Sequence, residues 1–179
     1  RAEGGTRPVC SSNSTADETI TRTATATEVD VGTGAGTDSV SVDNTDPEVT
    51  SVSIIPSSGV TTDTGLTCTA TATDDDGGTP TLTYVWSNDD SGDVLGTGTT
   101  VTLSPAFSQP GETITCTATA TDADGGTDTG TDSVSIDNTD PEVTSVTISP
   151  DSGVDTATEL TCSATATDDD GDTPTFTYA

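Results

Sequence analysis

The chain repeats itself at an offset of 94 residues, and this constrains its architecture more than any other feature. Residues 46–85 and 140–179 are identical at 30 of 40 positions. Residues 18–47 match 112–141 at the same offset, ETITRTATATEVD against ETITCTATATDAD at their starts. A period of this length is that of a whole domain rather than of a solenoid turn. The layout is therefore the back half of a unit (1–45), one complete unit (46–139) and the front half of another (140–179). Segments of about 40 residues bury too little surface to fold alone. Each half is expected to need strands from elsewhere.

Composition alone would fit a disordered chain: 28% hydrophobic, 3% aromatic, and 31 acidic against 3 basic residues for a net charge of -28. The pattern argues otherwise. The 44 Thr are β-branched and suit a pleated, half-exposed surface. They alternate with apolar residues at period two, the signature of strands with one buried face. Val52 and Ile54 mark a first strand, ended by the turn Pro56-Ser57-Ser58-Gly59. Leu66, Cys68, Ala70 and Ala72 face one way in the next, followed by Leu82, Tyr84 and Trp86, then Val101 and Leu103. Ile114, Cys116, Ala118 and Ala120 repeat the second pattern, and Val134 with Ile136 closes the unit. Six or seven short strands in 94 residues predict an all-β chain of tandem β-sandwiches.

Several functions become improbable on charge and residue type. Strong negative charge repels nucleic acid and anionic membranes, and no apolar run approaches the roughly 18 residues of a membrane span. The chain has no His and no Lys, which removes imidazole bases, Schiff-base amines and His-ligated zinc. No enzymatic activity is expected. The absence of Met makes the chain a processed form or a piece of a longer protein.

The central unit resembles immunoglobulin-like domains, with Cys68, Trp86 and Cys116 in their Cys…Trp…Cys order. It also resembles the PKD-type (polycystic kidney disease repeat) modules of bacterial and archaeal surface proteins. YVWSNDDSG (84–92) is similar to their Tyr-x-Trp segment, and PGETITCTATATDADGGTDT (110–129) to their penultimate strand and acidic loop. The resemblance implies immunoglobulin-like (PKD-like) sandwiches, an extracellular or cell-surface setting, and a disulfide joining the sheets through Cys68 and Cys116. Two free buried thiols are the alternative. A disulfide would staple an Ala-rich core and implies an oxidising compartment.

The halves are expected to complete one another between molecules. The 140–179 end of one copy would receive strands from the 1–45 end of the next, a head-to-tail contact that propagates as a filament of identical subunits. Charge agrees: Arg1, Arg7 and Arg22 lie at one end, Asp151, Asp155, Glu159 and Asp168 to Asp170 at the other. Cys162 is the equivalent of Cys68, while Arg22 stands at the equivalent of Cys116, leaving Cys10–Cys162 as a candidate bond between subunits. The competing readings are a window on a long tandem-repeat adhesin or stalk, and a carbohydrate- or cell-binding module. The few aromatics, Tyr84, Trp86, Phe107, Phe176 and Tyr178, mostly fall on inward positions, which argues against a sugar-stacking platform.

Acidic clusters recur with the repeat. The linker places Asp43, Asn44 and Asp46 before Glu48, and Asp137, Asn138 and Asp140 before Glu142; loops carry Asp74, Asp75 and Asp76, their counterparts Asp168, Asp169 and Asp170, and Asp122 with Asp124. In an immunoglobulin-like sandwich these loops should meet the linker at one pole, where oxygen ligands could hold Ca²⁺. The linker is also similar to the calcium linkers of cadherins. The alternative is that the Asp residues solvate a surface and populate turns. Asn13-Ser14-Thr15 is an N-glycosylation sequon, and the outward Thr rows are candidate carriers of surface glycans, though strand propensity accounts for most of them.

Overall fold

The computed structural model describes Ala16, 18–28, Asp30 and 32–179. Cys10, Asn13, Arg1 and Arg7 lie outside the described residues. Those residues form eleven antiparallel strands and no helix. Among the described residues no helix is long and apolar enough to cross a membrane.

The unit 46–139 holds seven strands: β3 (Glu48–Ile55), β4 (Gly65–Thr73), β5 (Thr81–Asn88), β6 (Val94–Thr97), β7 (Thr100–Thr102), β8 (Thr113–Thr121) and β9 (Thr127–Ser135). They form one sheet in the order β3-β4-β7 and another in the order β6-β5-β8-β9. The expected period-two faces are the ones buried: Leu66 and Cys68 on β4, Trp86 on β5, and Ile114, Cys116, Ala118 and Ala120 on β8. Cys68 and Cys116 form a disulfide between the two sheets, with a Cα–Cα distance of 6.5 Å. Trp86 is fully buried and donates from Nε1 to the Gly98 carbonyl at 3.0 Å.

β6 was not anticipated from the sequence, and it belongs to a different sheet from β7. The chain changes sheets at Gly98-Thr99. Gly98 N–H donates to the Tyr84 carbonyl at 3.0 Å in one sheet, and Thr99 carbonyl accepts from Cys68 N–H at 2.8 Å in the other. Gly98 has a φ of 97°, a conformation that disfavours any side chain. The outward Thr and Ser rows bond one another across strands, Thr50 with Thr71 at 2.6 Å and Ser53 with Thr69 at 2.8 Å. This cross-strand pairing explains the abundance of hydroxyls on the exposed face.

The two halves form separate hairpins. β1 (Thr19–Thr27) pairs with β2 (Thr33–Ser41), and β10 (Glu142–Ser149) pairs with β11 (Thr161–Thr167). The register of β10 on β11 reproduces that of β3 on β4 with every residue advanced by 94, bulge included. The X-Pro peptides Ile55–Pro56 and Ser149–Pro150 are both cis, at equivalent positions. By its identity with 46–85 the segment 140–179 would carry a third strand at the counterparts of Leu82 and Tyr84, yet residues 173–179 carry no strand. The reason lies in the sheet order. In the complete unit β5 pairs with β6 and β8 and not with β4, so its equivalent has no ladder to join.

Candidate functional site

Two features outside the core are candidates for function: the exposed inner faces of the hairpins, and the acidic junctions between units.

The sequence puts the same apolar residues on β10–β11 that form the core beneath β3–β4. Here they face outward. Val143 is 57% exposed and Val146 64%, whereas their equivalents Val49 and Val52 pack against β9. Ile148, Val154 and Leu160 are exposed too, at the equivalents of buried Ile54, Val60 and Leu66. Cys162 on β11 is a free, exposed thiol. Val143, Val146 and Cys162 line a shallow apolar groove with Phe176 and Tyr178, whose rings stack at 6.4 Å.

The β1–β2 hairpin is the matching piece. Ile20, Ala24 and Ala26 stand at the positions of buried Ile114, Ala118 and Ala120, and Val40, 61% exposed, at that of Val134. Two further correspondences are geometric. A Cβ on Gly130 in β9 would lie 2.7 Å from Val49 and 2.9 Å from Val52, so only glycine lets the sheets approach there. Its equivalent Gly36 faces open space. The Asp132 carboxylate also accepts the edge N–H of Ile54 at 2.9 Å from the opposite sheet, while its other oxygen accepts Ser133 N–H at 3.0 Å. Asp38, the equivalent, accepts Ser39 N–H at the same 3.0 Å. Two core elements differ: Arg22 replaces Cys116, and Gly34 replaces Asp128, whose carboxylate takes Val49 N–H at 2.7 Å.

The linker and loops meet as expected at the entry pole of the central unit. Thr45 N–H donates to Asp76 at 2.7 Å, and Asn44 Nδ2 donates to Asp122 at 3.0 Å. A Cβ on Gly126 would collide with Asp122 and Asp46, so these side chains crowd one point. The Asn44 bond is the main reason the Asp122 carboxyl titrates below the ordinary Asp range; N–H donors from Gly126, Asp124 and Gly125 add to it, against the opposing effect of burial. Asp74 accepts Asp76 N–H at 2.8 Å and shapes its own loop, and Asp43, Asp75 and Asp124 are exposed. Among the described residues no group of three or more carboxylates or thiols is placed to hold a metal ion. Asn44 Oδ1 is buried without a partner.

At the second junction Asp170 is only 2% exposed. Its carboxylate accepts Thr139 N–H at 2.6 Å and the Thr62 hydroxyl at 3.0 Å. Asp168 accepts Asp170 N–H at 2.9 Å, while Asp137, Asn138, Asp140 and Asp169 are exposed. Sequence reasoning missed Thr62, because a Thr in a polar turn carries no local sign that another unit will cover it.

The aromatic placement needs correction. Trp86 is buried and Tyr84 packs against the core, but Phe107 is 64% exposed and Tyr178 54%. Phe107 sits in the turn before β8, where the Ser104 carbonyl accepts the N–H groups of Phe107 and Ser108 and sets the direction, and no strand alternation applies. Phe176 and Tyr178 are exposed because the strands that flank Leu82 and Tyr84 within their own sheet, β6 and β8, have no counterparts paired with residues 173–179. No known protein family matches the chain, and no curated protein matches it in sequence.

Proposed function

We propose that this chain is a structural subunit of an extracellular filament, in which the β10–β11 face of one copy is covered by the β1–β2 hairpin of the next. The observation that carries this reading is Gly36. A glycine inside a strand weakens it and offers no side chain to pack. In the complete unit the equivalent glycine admits Val49 and Val52, whose counterparts Val143 and Val146 stand uncovered in the same chain. The joint is a sandwich completed in trans, by inward side chains and edge bonds such as Asp38 to Ile148 N–H. Its repetition is head-to-tail and need not close. The disulfide supports an oxidising compartment.

Gly36→Val tests the reading. The side chain meets open space in the single chain, so folding of the central unit is unaffected, yet it blocks the seat of Val143 and Val146. Sedimentation and electron microscopy should show polymers for the parent chain and only single chains for the variant. Equal assembly of both overturns the reading.

The internal junction, where one unit follows another in the same polypeptide, favours a second reading as a tandem-repeat stalk. There the covering strands belong to the same chain. Native material that runs after reduction far above the 17.8 kDa of this chain supports the stalk. Calcium at the linker is a further proposal, supported by the unpartnered Asn44 Oδ1 on a side chain whose Nδ2 meets Asp46 and Asp122. These three side chains would hold the ion, whose charge would offset local repulsion and stiffen the joint. A chelator that leaves the melting temperature unchanged rules it out.

A further inference from the structure

The junction inside the chain shows how one unit seats on the next. The loop Asp168–Gly171 of the following unit lies on the far pole of the central unit, against Thr62 and Pro105. Asp170 accepts the Thr62 hydroxyl at 3.0 Å, the Asp169 carbonyl lies 3.3 Å from the same hydroxyl, and a Cβ on Gly171 would touch Pro105 at 3.6 Å. Asp137 N–H donates to the Val60 carbonyl at 2.6 Å, tying the outgoing linker to the same pole.

The loop and the Thr62 side of the pole both occur a second time, already shaped. The loop Asp74–Gly77 matches the seated one. Asp74 accepts Asp76 N–H at 2.8 Å, as Asp168 accepts Asp170 N–H at 2.9 Å, and Gly77 and Gly171 have φ values of 87° and 84°. The linker bond is also the same, Thr45 N–H to Asp76 at 2.7 Å and Thr139 N–H to Asp170 at 2.6 Å. The pole is duplicated at 154–158. Asp155 N–H donates to the Thr158 hydroxyl at 2.8 Å, as Thr61 N–H does to Thr64 at 2.8 Å. Thr156 thus occupies the place of Thr62, yet it is exposed where Thr62 is fully buried.

We infer that the pole around Thr156 is a docking surface for the Asp74–Gly77 loop of a second copy of this chain, with Asp76 accepting the Thr156 hydroxyl. This rests on the head-to-tail reading and adds a second contact between subunits beyond the shared sandwich. It fixes the angle between the completed sandwich and the unit that follows. The seat is more acidic than the internal one, because Asp151 and Asp155 stand at the positions of Ser57 and Thr61. The contact therefore strengthens as salt screens the carboxylates.

The test joins the two surfaces covalently. Chains with Asp75→Cys and chains with Asp155→Cys, both in a Cys10→Ser and Cys162→Ser background, are mixed, allowed to assemble and treated with a short bismaleimide. A link between positions 155 and 75 of different chains is expected, about tenfold or more above the yield with either chain alone, because docking raises the effective concentration. Thr156→Val should lower that yield about tenfold, the worth of a hydrogen bond to a carboxylate, and Thr156→Ser should restore it. Assembly without the link, or a yield indifferent to Thr156→Val, overturns this inference and leaves strand complementation standing. A link that survives Gly36→Val keeps the docking and overturns strand complementation. Chains that never associate overturn both.

Discussion

Breaking the Cys68–Cys116 bond should cost the central unit a large part of its stability. The bond joins β4 to β8 across the core and closes a loop with a sequence separation of 48 residues. Releasing that loop frees unfolded-chain entropy worth about 4 kcal/mol at 25 °C. For a unit of this size the entropy of unfolding is about 0.2 kcal/mol per kelvin, so the melting temperature should fall by about 20 °C. Trp86 is the single tryptophan and is fully buried in the core beside the bond, so its emission reports this unit alone. Urea unfolding followed by Trp86 fluorescence should show a much lower midpoint for Cys68→Ala/Cys116→Ala than for the parent chain. Cys162→Ala, exposed on β11, should leave the transition where it is. A loss below about 1 kcal/mol in the double variant would mean that the Ala-rich core holds without its staple, and the reasoning from core size would be wrong.

Other outcomes follow from single contacts. Asp132→Ala leaves Ile54 N–H without its acceptor between the sheets and should cost about 1–3 kcal/mol in the same Trp86 assay. Asn88→Ala should cost a similar or larger amount. Asn88 is fully buried, donates to the Phe107 carbonyl and to Glu112, and accepts Asp90 and Ser91 N–H to shape the turn after β5. The Asn44–Asp122 clasp should depend on pH. The folded Asp122 carboxyl lies below the ordinary value of about 3.9, so its contribution is fully present above that value and is lost as pH falls through the lower folded value. Carboxyl NMR titration should show this, with Asn44→Ala moving the Asp122 midpoint upward. Asp155 should also titrate low, held by Ala157 N–H first and then by the Thr158 hydroxyl.

Much of this architecture was legible in the residues themselves. Period-two alternation is a local property, so it marked strands β3, β4, β5, β8 and β9 and the side of each that turns inward. The repeat made the boundaries of the complete unit readable, because the same strand and turn signals recur at a constant offset. The pairing of Cys68 with Cys116 came from a resemblance, and the geometry bears it out. What alternation cannot carry is the identity of a distant partner. Whether β6 and β7 share a sheet depends on the crossing at Gly98-Thr99, where one residue bonds to each sheet. Residues 173–179 look like a strand, yet a strand exists only where a ladder is present to receive it. Phe107 and Thr62 lie in turns, where no periodicity tells inside from outside, and Asp170 reads as one more solvated carboxylate. Its burial against Thr62 arises only when two units are stacked, since hydrogen bonds between residues 108 apart are a consequence of tertiary placement rather than of local preference.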